Sequence, residues 1–482
     1  MRILLASSEV HPYSKTGGLA DMVGALAKYL AQAGEQVGVV TPLYSGIRER
    51  FPHLRPGDIR ITLPLGSRHF QAEVWTLEVA DRLVIYFIDQ PDFYQRATLY
   101  QHQGVDYPDN AERFLFLSKC VAHLARNLPW KPEMVHVHDW QVGLVPLFVR
   151  HQRLHEGWAD APKTCLTIHN QAYQGHFGAN AYELANLPLD YFEPNGVEFY
   201  GGLNCLKAGI VYADGITTVS PRYAREITTE ALGNGLDGVL RLRQGVLAGI
   251  LNGVDYDEWN TMDNPFLKHS FTADSLEGKA KSKLDLQREF GLPEASHLPL
   301  FGTVTRLVDQ KGVDIQLSAL EEMLAAEMQF VLLGSGESQY EKASKKLSAR
   351  YPTKVAVKIG YDHGLSHRIE AGCDFYLMPS KFEPCGLNQL YSLRYGTVPI
   401  VRATGGLDDS IIDLAEDVER ATGIKFVEYS SSALVKAIRK ALVLFEHSDL
   451  LLHLRTNGMS ADFSWETTSQ KYLKLFDKIL SE

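Results

Sequence analysis

Apolar positions in this chain fall into two rhythms, short unbroken runs and helical stripes, and the two alternate almost from the first residue. Ile3-Leu4-Leu5-Ala6 predicts a strand ending near Ser7. After a loop containing Lys15-Thr16-Gly17-Gly18, the stripe Leu19, Met22, Val23, Leu26, Ala27 and Leu30 predicts a helix that Gly34 stops. Residues 37–40 read as the next strand, so the opening is strand, loop, helix, strand, the crossover unit of a parallel sheet. Further strands are expected at 83–88, 134–138, 164–168 and 216–219, with helices over 109–128 and 141–151. Periodicity fades between 228 and 252, where glycines accumulate, and 255–282 is polar and irregular. The alternation then restarts, with strands at 300–304, 330–333, 355–359, 375–378, 398–401 and 424–427.

The pattern predicts an α/β protein of two doubly wound domains, 1–245 and 246–482. A terminal helix over about 464–480 carries Tyr472, Leu473, Phe476 and Ile479, and the first domain is one surface open to it. One internal echo links the halves: Thr16-Gly17-Gly18-Leu19-Ala20-Asp21 returns as Thr404-Gly405-Gly406-Leu407-Asp408-Asp409. Two glycine-rich helix starts, one per domain, are what a pyrophosphate bound between strand ends would use.

Composition narrows the partners. With 58 acids against 48 bases the net charge is -10, and no block of Lys or Arg tracks a nucleic-acid backbone. An anionic ligand must therefore be held by a few placed cations or helix ends. The five cysteines are scattered without a C-x-x-C pair, which predicts reduced thiols. No apolar run is long enough for a membrane span, and the chain opens on a strand with no basic leader. These features predict a cytoplasmic protein, although a plastid protein whose leader had been removed would look the same.

Candidate chemistry gathers at strand ends. The loop Pro379-Ser380-Lys381-Phe382-Glu383-Pro384-Cys385-Gly386 sets a carboxylate before a helical pattern that begins at Gly386. Taken alone, Glu383 reads first as a surface acid favouring the helix dipole. Arg306 and Lys311, with Gln310 between them, place two cations beside the helix opening at Gly312, a diphosphate candidate. Lys15 supplies another cation beside Gly17 and Gly18, but the Walker order is absent. Gly334-Ser335-Gly336 reads as a tight turn before it reads as a dinucleotide fingerprint, because position 339 is Gln. His136-Val137-His138-Asp139-Trp140 fits strand-end polar contacts or a metal site short of ligands. His169 is either a core histidine or, with Asn170, a ligand-facing pair. Asn252 sits in a turn or hydrogen-bonds a sugar.

These motifs, in this order, resemble the bacterial glycogen synthases and plant starch synthases over essentially the whole chain. The resemblance implies two Rossmann-like domains facing across a deep cleft, the fold of B-type glycosyltransferases. It implies transfer of glucose from ADP-glucose to the non-reducing end of glycogen or another α-1,4-glucan, releasing ADP, with retention and without a required metal or cofactor. It places Lys15, Gly17 and Gly18 at the diphosphate, with Arg306 and Lys311 neutralising the leaving ADP. Glu383, Asp139, His169 and Asn252 would surround the transferred glucosyl group, Tyr361 would pack near adenine, and Asp21 would lie near the acceptor. Asn170, Gln310, Cys385, Gly386, Leu387 and Asn388 complete the substrate-contacting set. Two positions depart from the family pattern: Asn388 stands where Thr is usual, and Tyr391 stands where many B-type transferases carry a second Glu. The latter favours the glycogen synthase branch over sucrose or trehalose synthases. An inactive glucan-binding relative and a nicotinamide oxidoreductase are the alternatives.

Overall fold

Residues buried on both faces of a strand must be apolar throughout, and the first strand meets that condition. In the computed structural model, which describes Met1–Glu482, Ile3, Leu4, Leu5 and Ala6 of strand Arg2–Ala6 are fully buried. This strand lies inside a nine-stranded sheet. Gln36–Pro42 pairs parallel to it on one side and Met134–His138 on the other, with Ile3 opposite both Val37 and Met134. Beyond Met134–His138 come Lys163–Ile168, Gly215–Thr218 and Leu247–Gly249, all parallel. Beyond Gln36–Pro42 come Leu83–Asp89 and then an antiparallel hairpin, Arg68–Ala80 with Arg55–Leu65. Strand order therefore reverses between Arg2–Ala6 and Met134–His138, and their carboxyl ends bound a switch-point crevice.

The long hairpin was not expected. Its outer strand is buried at only two of eleven positions, so it lacks the continuous apolar run by which the parallel strands are recognised. Leu247–Gly249 corrects a second expectation. It pairs Ile216 with Leu247 and Thr218 with Gly249, which carries the first sheet past residue 245. By contacts, one compact unit comprises Met1–Val219, Ala224–Ile250 and Trp465–Glu482, and the other Ser220–Tyr223 and Leu251–Ser464. The helix expected over 141–151 is divided into a single turn, Trp140–Val142, and a helix, Val145–His155, started by Pro146 in its first turn. Gly143 lies between them, where a Cβ would sit 2.3 Å from the Cys205 carbonyl oxygen.

The terminal helix Trp465–Ser481 belongs to the first unit. Its Tyr472 and Phe476 rings lie 5.6 and 5.3 Å from the His136 ring, and Ile479 packs against Gly215. In the second unit six strands are all parallel, in the order Val355–Ile359, Gln329–Gly336, Leu300–Leu307, Phe375–Met378, Val398–Arg402, Ile424–Phe426. Alternate residues feed opposite faces: Phe301, Phe330 and Phe375 join one apolar cluster, Leu300, Val331 and Tyr376 the other. Gly334-Ser335-Gly336 is strand, not the expected turn, paired residue for residue with Thr305, Arg306 and Leu307. A Cβ on Gly334 would lie 2.1 Å from the Thr305 oxygen, so glycine here allows close strand approach. Order reverses between Leu300–Leu307 and Phe375–Met378, the second switch point.

Candidate functional site

In the first unit the Lys15 loop and Asp139 follow the two strands that bound the switch point. Lys15, Thr16, Gly17 and Gly18 are exposed, and helix Gly18–Gln32 starts from extended backbone at Gly17. A Cβ on Gly17 would meet no atom within 4 Å, so the space before this helix start is open. Lys15 Nζ lies 2.7 Å from Asp21 Oδ1, which brings together two residues expected at opposite ends of the substrate. The loop is held from below by Glu9, which pattern reading missed. Glu9 is buried, and its carboxylate accepts from the Thr16 hydroxyl at 2.6 Å, the Thr16 amide, and the Tyr100 hydroxyl at 2.6 Å. Its only signal in sequence is an acid directly between an apolar strand and a glycine-rich loop.

Asp139 has φ 61°, a conformation costly for a side-chain-bearing residue. Its amide donates to Thr167 O at 2.9 Å, and its carboxylate accepts from the His169 amide at 2.7 Å, tying two neighbouring strand ends. Burial pushes its carboxyl up to about 7 against the His169 and Asn170 amides, which favour ionisation. His138 Nδ1 lies 3.1 Å from His169 Nε2, and burial lowers His169 to about 3, so the imidazoles are neutral. His136 is fully buried, bonded to Thr167 Oγ1 at 2.6 Å and packed against the terminal helix. It is a core residue. Asn170 accepts from the Ala172 amide at 3.0 Å, forming its own turn.

In the second unit, the loops after the two switch-point strands interlock. Arg306 lies within strand Leu300–Leu307, beyond the end expected at 304, exposed and without an ion pair. Lys311 closes the turn Asp309–Lys311, and Gly312 follows with φ 69°. A Cβ on Gly312 would lie 2.0 Å from the Pro379 carbonyl oxygen, so this glycine lets the two loops touch. Gln310 completes the join: its side chain donates to Phe382 O at 3.2 Å and its carbonyl accepts from the Lys381 amide at 2.8 Å. Lys311 Nζ then reaches Glu383 Oε2 at 2.6 Å, and Ser380 Oγ donates to the same oxygen at 2.9 Å. Glu383 is buried and paired, which removes its reading as an isolated surface acid.

The remaining second-unit candidates take varied positions. The helix begins at Asn388, not Gly386, because Gly386 is left-handed with φ 71° and Leu387 is the cap. The Asn388 side chain is occupied by Val304 O, at 2.8 Å, and the Tyr376 hydroxyl. Cys385 is a buried free thiol that burial pushes up to about 12. Asn252 is buried with Oδ1 unpartnered, an acceptor awaiting a donor. Tyr361 is 78% exposed. Tyr391 stacks flat on Trp259 at 3.6 Å, so the position that could hold a second carboxylate serves packing. The repeated glycine motif also changes meaning. Gly406 donates to Glu383 O at 3.1 Å, and a Cβ on Gly405 would lie 1.9 Å from that oxygen. Gly405 and Gly406 brace the Glu383 loop, and the Gly406 amide is spent on that brace.

Comparison with known proteins places these arrangements in context. A family model described as starch synthase catalytic domain matches residues 2–242, and one described as glycosyl transferases group 1 matches residues 287–449. The chain is 46% identical to a glycogen synthase of Koribacter versatilis, over 99% of this chain and 98% of the relative. It is 43% identical to glycogen synthase 2 of Nitrosococcus oceani, over 100% and 98%. The solved catalytic domain of starch synthase IV from Arabidopsis thaliana, bound to ADP and acarbose, superposes with a TM-score of 0.89 at 31% identity, covering 100% of this chain and 99% of that one. Sucrose-phosphate synthase from Thermosynechococcus elongatus shares the fold alone, with a TM-score of 0.61 at 17% identity.

Proposed function

The chain belongs to the glycogen and starch synthase family of hexosyltransferases with the B-type glycosyltransferase fold, and on that premise we propose that it transfers glucose from ADP-glucose to the non-reducing end of an α-1,4-glucan. An α-linked donor giving an α-1,4 product means retention of configuration. Breaking the bond from anomeric carbon to phosphate leaves positive charge on the sugar and negative charge on ADP, so fixed opposite charges lower the barrier. The observation that carries the reading is the Lys311–Glu383 pair at 2.6 Å beside the exposed, unpaired Arg306 at the second switch point. Arg306 grips the diphosphate, and Lys311 shares its charge between Glu383 and the departing phosphate. Lys15 meets phosphate after exchanging Asp21 for it, and Gly17 and Gly18 leave room for that approach. Asp139 and His169 hold the glucosyl group, and the unpartnered Asn252 Oδ1 is an acceptor suited to a sugar hydroxyl. Tyr361 covers the adenine. No helix is long and apolar enough to cross a membrane, and a cytoplasmic location is part of the proposal.

ADP release measured with ADP-glucose and with UDP-glucose, each with and without glycogen, tests the reading. Release that depends on glycogen and prefers ADP-glucose is expected; acceptor-independent hydrolysis or preference for UDP-glucose overturns it. Glu383→Gln is expected to lower kcat by about 10²–10³-fold with little change in KM. Unchanged turnover would remove Glu383 from the reaction.

A further inference from the structure

The second unit carries a second cluster of reactive side chains, none of them used in the transfer reaction proposed above. Glu258, His363 and His367 each direct a donor atom to one place, and all three atoms lie within 4.8 Å of one another. The arrangement begins in sequence. His363 and His367 stand four apart on helix His363–Gly372 and so share a face. Asp362 caps that helix by accepting from the Leu365 amide at 2.8 Å, which fixes its first turn. Glu258 arrives on the irregular segment that brings the chain into the second unit.

Geometry separates this cluster from a chance meeting of polar groups. His363 Nε2 is 3.3 Å from His367 Nε2 and 3.2 Å from Glu258 Oε1. Four ligands held tetrahedrally about 2.0–2.1 Å from a metal are separated by about 3.3–3.4 Å, so two edges are already set near their bound length. The longer third edge closes by movement of the exposed Glu258 side chain. His367 is held rigidly. It is fully buried, its ring lies flat on Trp259 at 4.0 Å and 12°, and its Nδ1 is 2.8 Å from the Tyr395 hydroxyl. The Asn264 side-chain amide also lies 3.1 Å from this Nδ1, so metal binding through Nε2 uses the tautomer in which Nδ1–H donates to the Tyr395 oxygen, the arrangement that orients a metal-binding histidine. Phe266 packs on both imidazoles, at 5.2 and 5.0 Å. Exposed Glu258 and half-buried His363 leave the outer side open to solvent.

We propose that Glu258, His363 and His367 form a binding site for one divalent transition metal, Zn²⁺ foremost, with water as the fourth ligand. Two imidazoles and one carboxylate suit Zn²⁺ and its first-row neighbours, whereas Mg²⁺ and Ca²⁺ require oxygen ligands. The metal would staple the segment around Glu258 to helix His363–Gly372. Its effect is therefore on the stability of the second unit, independent of the transfer reaction.

The test uses full-length protein without a histidine tag, stripped of metal by a chelator. Calorimetric titration is expected to show one equivalent of Zn²⁺ bound, with a rise of several degrees in Tm that equal Mg²⁺ does not produce. Co²⁺ is expected to give the visible absorption of a four-coordinate complex. His363→Ala and Glu258→Ala alter partly exposed positions and so leave the fold intact, and each is expected to weaken Zn²⁺ binding by at least about tenfold and abolish the Co²⁺ band. Absence of stoichiometric binding, or Zn²⁺ affinity unchanged in both variants, overturns the proposal.

Discussion

Asp139 concentrates the chemistry of the first unit in one side chain. Burial raises its carboxyl to about 7, opposed by the amides of His169 and Asn170. An unfolded aspartate titrates near about 3.9, so between about pH 4 and pH 7 the folded protein holds a proton that the unfolded chain has released. Stability from this group therefore falls as pH rises through that window, and above about pH 7 the full cost of the buried charge is present. Asp139→Asn removes that cost. In urea unfolding the variant is expected to gain on the parent as pH rises from 5 to 8, by on the order of a few kcal/mol at most. A difference that does not change with pH would contradict the raised carboxyl. The same logic gives its neighbours the opposite sign: His138 and His169 stay uncharged in the fold while unfolded imidazoles take up protons below about pH 6.5, so their contribution rises with pH and cancels when variant and parent are compared.

At the scale of elements, both candidate loops park a lysine on a carboxylate, Lys15 on Asp21 at 2.7 Å and Lys311 on Glu383 at 2.6 Å. On the proposed reading, substrate phosphate competes for each. The loops differ in what supports them. The Glu383 loop rests on Gly405 and Gly406, whose added Cβ atoms would lie 1.9 Å from Glu383 O and 2.0 Å from Cys385 O. Gly406→Ala is therefore expected to cost about 1–3 kcal/mol of stability and to lower kcat by displacing the loop. Gly17→Ala is the contrasting case, since its Cβ meets nothing and its backbone is extended. It is expected to raise KM for ADP-glucose while leaving Tm unchanged. Thermal melts and steady-state kinetics on the pair check both expectations.

For the whole molecule, the chain returns at its end to the unit in which it began. Helix Trp465–Ser481 buries Tyr472 and Phe476 against the His136 face of the first sheet, so residues far apart in sequence share one core. Phe476→Ala is expected to cost about 3–5 kcal/mol. Hydrogen exchange should show the loss in Met134–His138 and Gly215–Thr218, while the strands Leu300–Leu307 and Gln329–Gly336 keep their protection. Equal loss in both units would mean that they unfold as one.

Much of this protein could be read from local pattern. Continuous apolar runs gave away the parallel strands, because a strand covered on both faces admits no polar alternation, and the carboxyl ends of those strands and the loops after them already held Lys15, Asp139, Arg306, Lys311 and Glu383. The half-exposed hairpin Arg55–Leu65 and Arg68–Ala80 escaped for the converse reason. Contacts between distant loops belong to the tertiary structure alone. Lys311 and Glu383 are 72 residues apart, and they meet because strands Leu300–Leu307 and Phe375–Met378 pair side by side. Gly405 and Gly406 do open a helix, Gly405–Ser410, as their sequence echo predicts, and packing makes them a brace as well. His136 looks like a ligand until the terminal helix covers it. Periodicity reports which face of an element is buried; only strand order and packing decide which neighbours a polar side chain meets there.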